Sequence, residues 1–125
     1  MRFYGVFRGL MAAMLAGFSL PALADGSVEL VMFDQTHCEW CARWEDEIGG
    51  IYAKTDEGKA APLRRVDIHD DRPEDLSAIK GVVFTPTFVL VENGAELGRI
   101  AGYPGEDFFW PMLATLLEKR VTPTE

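Results

Sequence analysis

Blocks of apolar residues along the chain, separated by polar and turn-forming positions, predict four β-strands. Val28–Phe33 is almost continuously apolar, which is typical of a strand covered on both faces of a sheet. Leu63–Ile68 predicts a second strand, and Thr87–Glu92 predicts a third. Asn93-Gly94 follows the third strand and is a strong signal for a tight hairpin turn. Leu97–Tyr103 is therefore predicted to return antiparallel to the third strand.

Helical spacing and helix-start signals predict three helices. The first opens at Cys38 and is weakened or kinked at Gly49-Gly50. Its apolar face follows the spacing i, i+4, i+8, i+11 and consists of Trp40, Trp44, Ile48 and Ile51. A short second helix is predicted for Asp71–Lys80, with Pro73 near its first position. Gly105–Arg120 predicts an amphipathic helix that closes the domain.

The order of these elements indicates the fold class. The sequence β-α-β-α-β-β-α predicts a compact α/β fold, in which a mixed four-stranded sheet carries helices on both faces. There is no internal repeat, low-complexity tract or interdomain linker. We therefore expect a single small domain.

The first 24 residues predict a secretory signal peptide. Arg2 and Arg8 form a positive start, Gly9–Leu20 is a short apolar run, and Pro21–Ala24 has the small-x-small pattern of a cleavage site. A retained membrane anchor is the alternative, but the apolar run is shorter than the ~20 residues that span a bilayer. We expect cleavage after Ala24, a periplasmic location and a working domain of residues 25–125.

Charge limits the partners of this domain. The chain has 12 basic and 20 acidic residues, and both charged residues of residues 1–24 are arginines, so the remaining domain has a net charge of −10. Such a domain repels nucleic acid and anionic lipid, so we expect neither as a partner. The acidity is explained by a solvated surface or by preference for a basic partner.

The only two cysteines are Cys38 and Cys41, placed where the first strand passes into the first helix. Unpaired backbone N–H groups and the helix dipole favour a thiolate there. A structural disulfide is the alternative in an oxidising compartment. A bridge across two residues closes almost no loop, however, so it removes little entropy from the unfolded chain. The spacing therefore favours dithiol–disulfide exchange.

A Cu(I)-binding module that delivers metal is an alternative of a different class. Two thiolates, with or without His37, suit a soft ion. A structural zinc site needs four ligands, and the chain has no second Cys/His pair to complete one. Exchange chemistry, which needs no metal or organic cofactor, remains the favoured reading.

The chain resembles the thioredoxin superfamily over nearly all of residues 25–120. The resemblance rests on the cysteine pair after the first strand, on Thr85-Pro86-Thr87 before the hairpin, and on Gly102 at the end of the hairpin. It implies that Pro86 is cis and lies against the cysteines, whereas a trans proline at a strand start is the common alternative. It also implies that Thr85 and Gly102 flank a groove in which a partner segment pairs like a strand.

By the same resemblance, Cys38 is the attacking thiol and Cys41 the buried resolving thiol. We expect the negative charge of Glu39 to oppose the thiolate of Cys38 and the helix N-terminus to favour it. Trp40 either shields the pair or contacts a partner, or it belongs to the core. His37 either stabilises the thiolate when protonated or is an exposed loop residue without a role.

The chain departs from the pattern of many thioredoxins. It has Glu39-Trp40 where they have Gly-Pro between the cysteines. Met32 replaces the buried acid that accepts a proton during resolution, so that proton must go to water or to another group. His69, in an Asp-rich loop, is expected to be a surface residue.

A narrower resemblance concerns the segment from Gly102 to Trp110. It is similar to the periplasmic thioredoxins of bacterial sulfur-oxidation (Sox) systems, which keep the cysteine of a sulfur-carrier protein reduced. The alternative is that the aromatic residues of this segment merely begin a helix. We expect a monomeric reductant whose substrate is a protein with a disulfide or modified cysteine, recharged by a membrane thiol relay. A disulfide oxidant or isomerase is the alternative within the same chemistry.

Overall fold

The computed structural model describes Gly17 and residues 27–120. The predicted signal peptide, apart from Gly17, lies outside the described residues, as does the boundary of the working domain at residue 25. No helix among the described residues is both long and apolar enough to cross a membrane.

A mixed four-stranded sheet organises the domain and confirms the predicted fold class. Its strands are β1 (Val28–Asp34), β2 (Leu63–Asp67), β3 (Thr87–Glu92) and β4 (Ala95–Ala101). Their order in the sheet is β2-β1-β3-β4, with β1 parallel to β2 and antiparallel to β3. The hairpin between β3 and β4 turns at Asn93 and Gly94, whose φ angles of 51° and 79° match a tight type I′ turn.

Three α-helices pack on one face of the sheet. They are α1 (Glu39–Trp44), α2 (Asp56–Ala60) and α3 (Glu106–Leu117). A π-helical turn, Glu45–Gly49, continues α1, and a 3₁₀ turn, Tyr52–Lys54, leads to α2. The α2 helix is not among the helices predicted from the sequence. Its start is capped by Thr55, whose Oγ1 accepts from the N–H of Gly58.

The prediction of a second helix is wrong in its length. Instead of a helix over Asp71–Lys80, only Glu74–Leu76 forms a 3₁₀ turn. Leu76 and Ile79 are the buried residues of this segment, and two apolar anchors stabilise a longer helix poorly. The rest of the segment is irregular and covers the second face of the sheet.

The two faces bury separate apolar cores. The helical face encloses a large aromatic cluster centred on Trp44, whose ring lies 5.2 Å from Phe88 and 5.8 Å from Phe109 between centroids. The opposite face packs Phe33 of β1 against Leu76 and its neighbours. Because the sheet is covered on both sides, the central residues of β1 (Leu30–Phe33) and β3 (Phe88–Val91) are all apolar.

The edge strands carry charged side chains in ion pairs. On β2, Arg64 pairs with Glu29 and Asp75, and Arg65 pairs with Glu45. On β4, Arg99 pairs with Glu96 on the same strand.

Candidate active site

The two cysteines lie at the start of α1 and are joined by a disulfide, with their Cα atoms 5.2 Å apart. Cys38 is the N-cap residue of α1, and its Sγ accepts a hydrogen bond of 3.1 Å from the backbone N–H of Cys41. Cys41 is 6% exposed and packs in the core, whereas Cys38 is half-buried at its edge. The first sulfur is therefore the more accessible one, and it faces helix N–H groups that favour a thiolate.

The peptide bond between Thr85 and Pro86 is cis, the isomer that the resemblance implied. Pro86 is buried, and its carbonyl accepts a hydrogen bond of 2.7 Å from the N–H of Gly102. This bond ties the loop before β3 to the end of β4. An open groove beside it is lined by Trp40, Thr85, Ala101, Gly102, Tyr103 and Pro104.

The backbone of Thr85 is unpaired within the described part of the chain. Neither its N–H nor its carbonyl makes a backbone hydrogen bond to residues 27–120. Buried or half-buried backbone groups ordinarily find a partner in protein or water. Thr85, which lines the groove, thus has one main-chain donor and one main-chain acceptor without a backbone partner in this part of the chain.

Trp40 lies on the surface, which excludes the alternative that it belongs to the core. Its side chain is 51% exposed and lines the groove, and the guanidinium of Arg43 lies 5.4 Å from its ring centroid. Ile51, at the other end of the predicted stripe, is 46% exposed. Only Trp44 and Ile48 are buried, so the predicted four-residue apolar stripe is wrong at both ends.

A polar network behind the groove was not predicted from the sequence. The hydroxyl of Tyr103 donates to a carboxylate oxygen of Glu47, and Arg43 Nε donates to the other oxygen at 2.9 Å. These two hydrogen bonds hold the pKa of Glu47 below its ordinary value. Burial and the bond to Glu47 raise the pKa of the Tyr103 hydroxyl, which keeps it a neutral donor.

His37 and Glu39, the sequence neighbours of Cys38, are both exposed. Glu39 is the first residue of α1, and its carboxylate lies in the first turn of that helix. His37 precedes Cys38 in the left-handed region, with φ of 61°. The imidazole of His37 makes no hydrogen bond or ion pair to any side chain of residues 27–120. His37 is therefore an exposed loop residue.

Asp34 lies two residues after Met32, the position at which many thioredoxins have a buried acid. Met32 is fully buried on the helical face of β1, and Asp34 follows two residues later on the same face. Burial, with a smaller contribution from the negative charge of Asp67, raises the pKa of Asp34. The period of a strand would have identified it, because every second residue shares a face.

Gln35 and His69 form a second unpredicted connection to the groove. Gln35 Nε2 donates to Thr85 Oγ1 at 2.7 Å, and Gln35 Oε1 lies 2.8 Å from His69 Nε2. His69 is exposed, as expected, but it is also bonded to the loop that precedes the cysteines. No sequence signal links these residues, since 34 and 50 positions separate the bonded pairs.

The described residues contain no group of three or more His, Cys, Asp or Glu side chains placed to hold a metal ion.

Comparison with known proteins supports one superfamily. No family model and no curated protein sequence matches the chain. Among solved structures, the chain is similar to the periplasmic thioredoxin SoxS from Paracoccus pantotrophus in its reduced form. The two are 51% identical with a TM-score of 0.70, over 74% of this chain and 97% of SoxS.

More distant thioredoxins share the fold. Thioredoxin NaTrxh from Nicotiana alata is 26% identical with a TM-score of 0.55, over 77% of this chain and 76% of that protein. Fasciola hepatica thioredoxin is 24% identical with a TM-score of 0.55, over 72% of this chain and 81% of that protein. This likeness supports the fold alone. With the Cys38–Cys41 pair at the start of α1 and the likeness to SoxS, the chain belongs to the thioredoxin superfamily and is a thiol–disulfide oxidoreductase.

Proposed function

We propose that the protein is an exported reductant that returns a cysteine of a periplasmic partner to its thiol form. The observation that carries this proposal is the unequal exposure of the two cysteines, with Cys38 half-buried at the edge of the core and Cys41 buried within it. The Cys38 thiolate attacks the partner disulfide, forms a mixed disulfide and releases one partner thiol. The Cys41 thiolate then attacks Cys38 Sγ, releases the second partner thiol and forms the intramolecular disulfide. Two electrons pass to the partner in each cycle.

The groove beside Thr85 is the proposed docking site for the partner segment. The unpaired N–H and carbonyl of Thr85 support this, because an extended segment pairs with such groups as a strand does. Trp40 and Tyr103 line the same groove, and the exposed indole of Trp40 offers apolar surface to a docked side chain.

Export and a role in sulfur oxidation rest on similarity. SoxS is a periplasmic thioredoxin, and the first 24 residues of this chain have the pattern of a signal peptide. We propose a periplasmic sulfur-carrier protein with a modified cysteine as the substrate. A reductant in an oxidising compartment must be recharged, so a membrane thiol relay is the proposed electron donor.

The redox potential tests the direction of electron flow. Equilibrium of Cys38 and Cys41 with a glutathione buffer is expected to give a potential near the value of about −270 mV found for thioredoxin. A redox potential of about −120 mV, typical of a strong oxidant, would contradict the proposal and favour disulfide donation.

Partner trapping tests the substrate. Cys41→Ala leaves Cys38 unable to escape from a mixed disulfide, so one or a few periplasmic proteins should remain covalently bound to it. The double variant Cys38→Ala/Cys41→Ala is the matched control and should capture none. Capture of many unrelated proteins would exclude a dedicated partner.

A further inference from the structure

We propose that Gln35 orients the hydroxyl of Thr85 so that it donates a hydrogen bond to the segment docked in the groove. In this arrangement His69 holds the Gln35 amide in the required orientation. The inference rests on the proposed docking groove, and it assigns Gln35 and His69 as positioning residues for substrate binding.

Three loops meet at this connection. Gln35 lies between β1 and α1, His69 follows β2, and Thr85 precedes β3. The Gln35 side chain is half-buried and bridges the other two, with bonds of 2.7 Å to Thr85 Oγ1 and 2.8 Å to His69 Nε2. His69 is itself fixed, because its backbone N–H donates to Asp67 Oδ1 at 2.8 Å.

The polarity of the bridge follows from the atoms involved. An amide oxygen only accepts hydrogen bonds, so His69 Nε2 must carry the hydrogen that it shares with Gln35 Oε1. This leaves the amide nitrogen of Gln35 as the donor to Thr85.

The hydroxyl of Thr85 consequently has an unused hydrogen. A hydroxyl carries one hydrogen, and Thr85 Oγ1 already accepts from Gln35. Within residues 27–120, this hydroxyl donates to no other group, although Thr85 lines the groove. A docked segment therefore meets a backbone donor, a backbone acceptor and a side-chain donor at one residue, and the hydroxyl suits an oxygen acceptor on the partner.

Reduction of fluorescently labelled insulin by the dithiol form, measured as separate KM and kcat values, tests the proposal. Thr85→Val removes the hydroxyl and keeps the shape, so we expect KM to rise about threefold to tenfold. Thr85→Ser keeps a hydroxyl and should stay within about twofold of the parent protein. The value of kcat and the redox potential should not move in either variant.

Two substitutions at Gln35 separate polarity from packing. Gln35→Met removes the amide but leaves Thr85 free to donate, so KM should rise only about twofold. In Gln35→Glu a carboxylate accepts from both neighbours, which turns the Thr85 hydrogen away from the groove. Its KM should therefore approach that of Thr85→Val.

The double variants isolate the coupling. Neither Gln35 substitution should raise KM further in the Thr85→Val background, and additive effects would overturn the proposal. An unchanged KM in Thr85→Val would also overturn it. A shifted redox potential without a change in KM would overturn it as well, because the hydroxyl would then act on the Cys38 sulfur. If the parent protein fails to reduce insulin, the proposed function fails instead.

Discussion

The hydroxyl of Tyr103 donates a hydrogen bond to Glu47 and so joins one wall of the groove to the helix that carries the cysteines. Glu47 also accepts from Arg43, whose guanidinium lies over the ring of Trp40. Four side chains are thus connected from the end of β4 to the exposed indole beside Cys38. The groove walls are positioned by polar contacts as well as by the apolar core.

The Tyr103–Glu47 bond should stabilise the fold in a pH-dependent way. The folded-state pKa of Glu47 is lowered, so its contribution is present above the unfolded-state pKa and is lost as the pH falls through the folded-state value. Tyr103→Phe should therefore lower the free energy of unfolding in urea more at about pH 7 than at about pH 3.

Tyr52→Phe is the matched control for that measurement. Tyr52 donates to the carbonyl of Ala61 at 2.6 Å, a bond between neutral groups, so its loss should cost the same at both pH values. An equal pH response of the two variants would show that Glu47 does not carry the effect.

Asp34→Asn is expected to stabilise the protein at neutral pH. Because burial raises the folded-state pKa of Asp34, the ionised form is disfavoured, and this cost appears as the pH rises through the unfolded-state and then the folded-state pKa. The gain in free energy of unfolding should be present at about pH 7 and absent near about pH 3.

Asp75→Asn provides the opposite case. Hydrogen bonds from Arg64 lower the pKa of Asp75, so this substitution should destabilise at neutral pH and have no effect at low pH. Loss of stability in both asparagine variants at neutral pH would contradict the assignment for Asp34.

Trp40→Ala should weaken partner reduction without weakening the fold. The indole is half-exposed and lines the groove, so we expect kcat/KM for insulin to fall about tenfold through KM, with the unfolding temperature nearly unchanged. Phe108, at 65% exposure and outside the groove lining, is the control, and Phe108→Ala should leave the kinetics unaltered. Equal losses in both would indicate a general apolar effect.

Gly58 in α2 and Gly50 after the π-helical turn should respond oppositely to alanine. A Cβ on Gly58 would lie 1.8 Å from the carbonyl oxygen of Tyr52, so Gly58→Ala should cost about 3 kcal/mol or more. A Cβ on Gly50 meets nothing within 4 Å, and its backbone is right-handed helical. Gly50→Ala should be neutral or stabilise by about 0.4–1 kcal/mol in urea unfolding.

Local pattern was a good guide to the central strands, the hairpin turn and the last helix. The apolar runs of β1 and β3, the Asn93-Gly94 turn and the closing helix were all predicted within a few residues. The cysteine pair was identified because its chemistry depends on two residues and a helix start, which are adjacent in sequence.

Long-range contacts limited the rest. The first helical region passes into a π-helical turn after Trp44, so the spacing that placed Ile51 on its buried face does not persist. Trp40 lies before that turn, at the start of α1, where it lines the groove. The bridge from His69 through Gln35 to Thr85 depends on three loops meeting, which only the assembled sheet brings about. Such contacts leave no periodic trace in the sequence.

The charged edges of the sheet have a consequence for self-association. If a partner segment docks at Thr85 as proposed, the same strand pairing could also add copies of the protein along β2 or β4. Both edges carry arginines held in ion pairs, which oppose the approach of another β-edge. Strand addition is thereby discouraged along the sheet, while the unpaired main chain of Thr85 stays open to a partner.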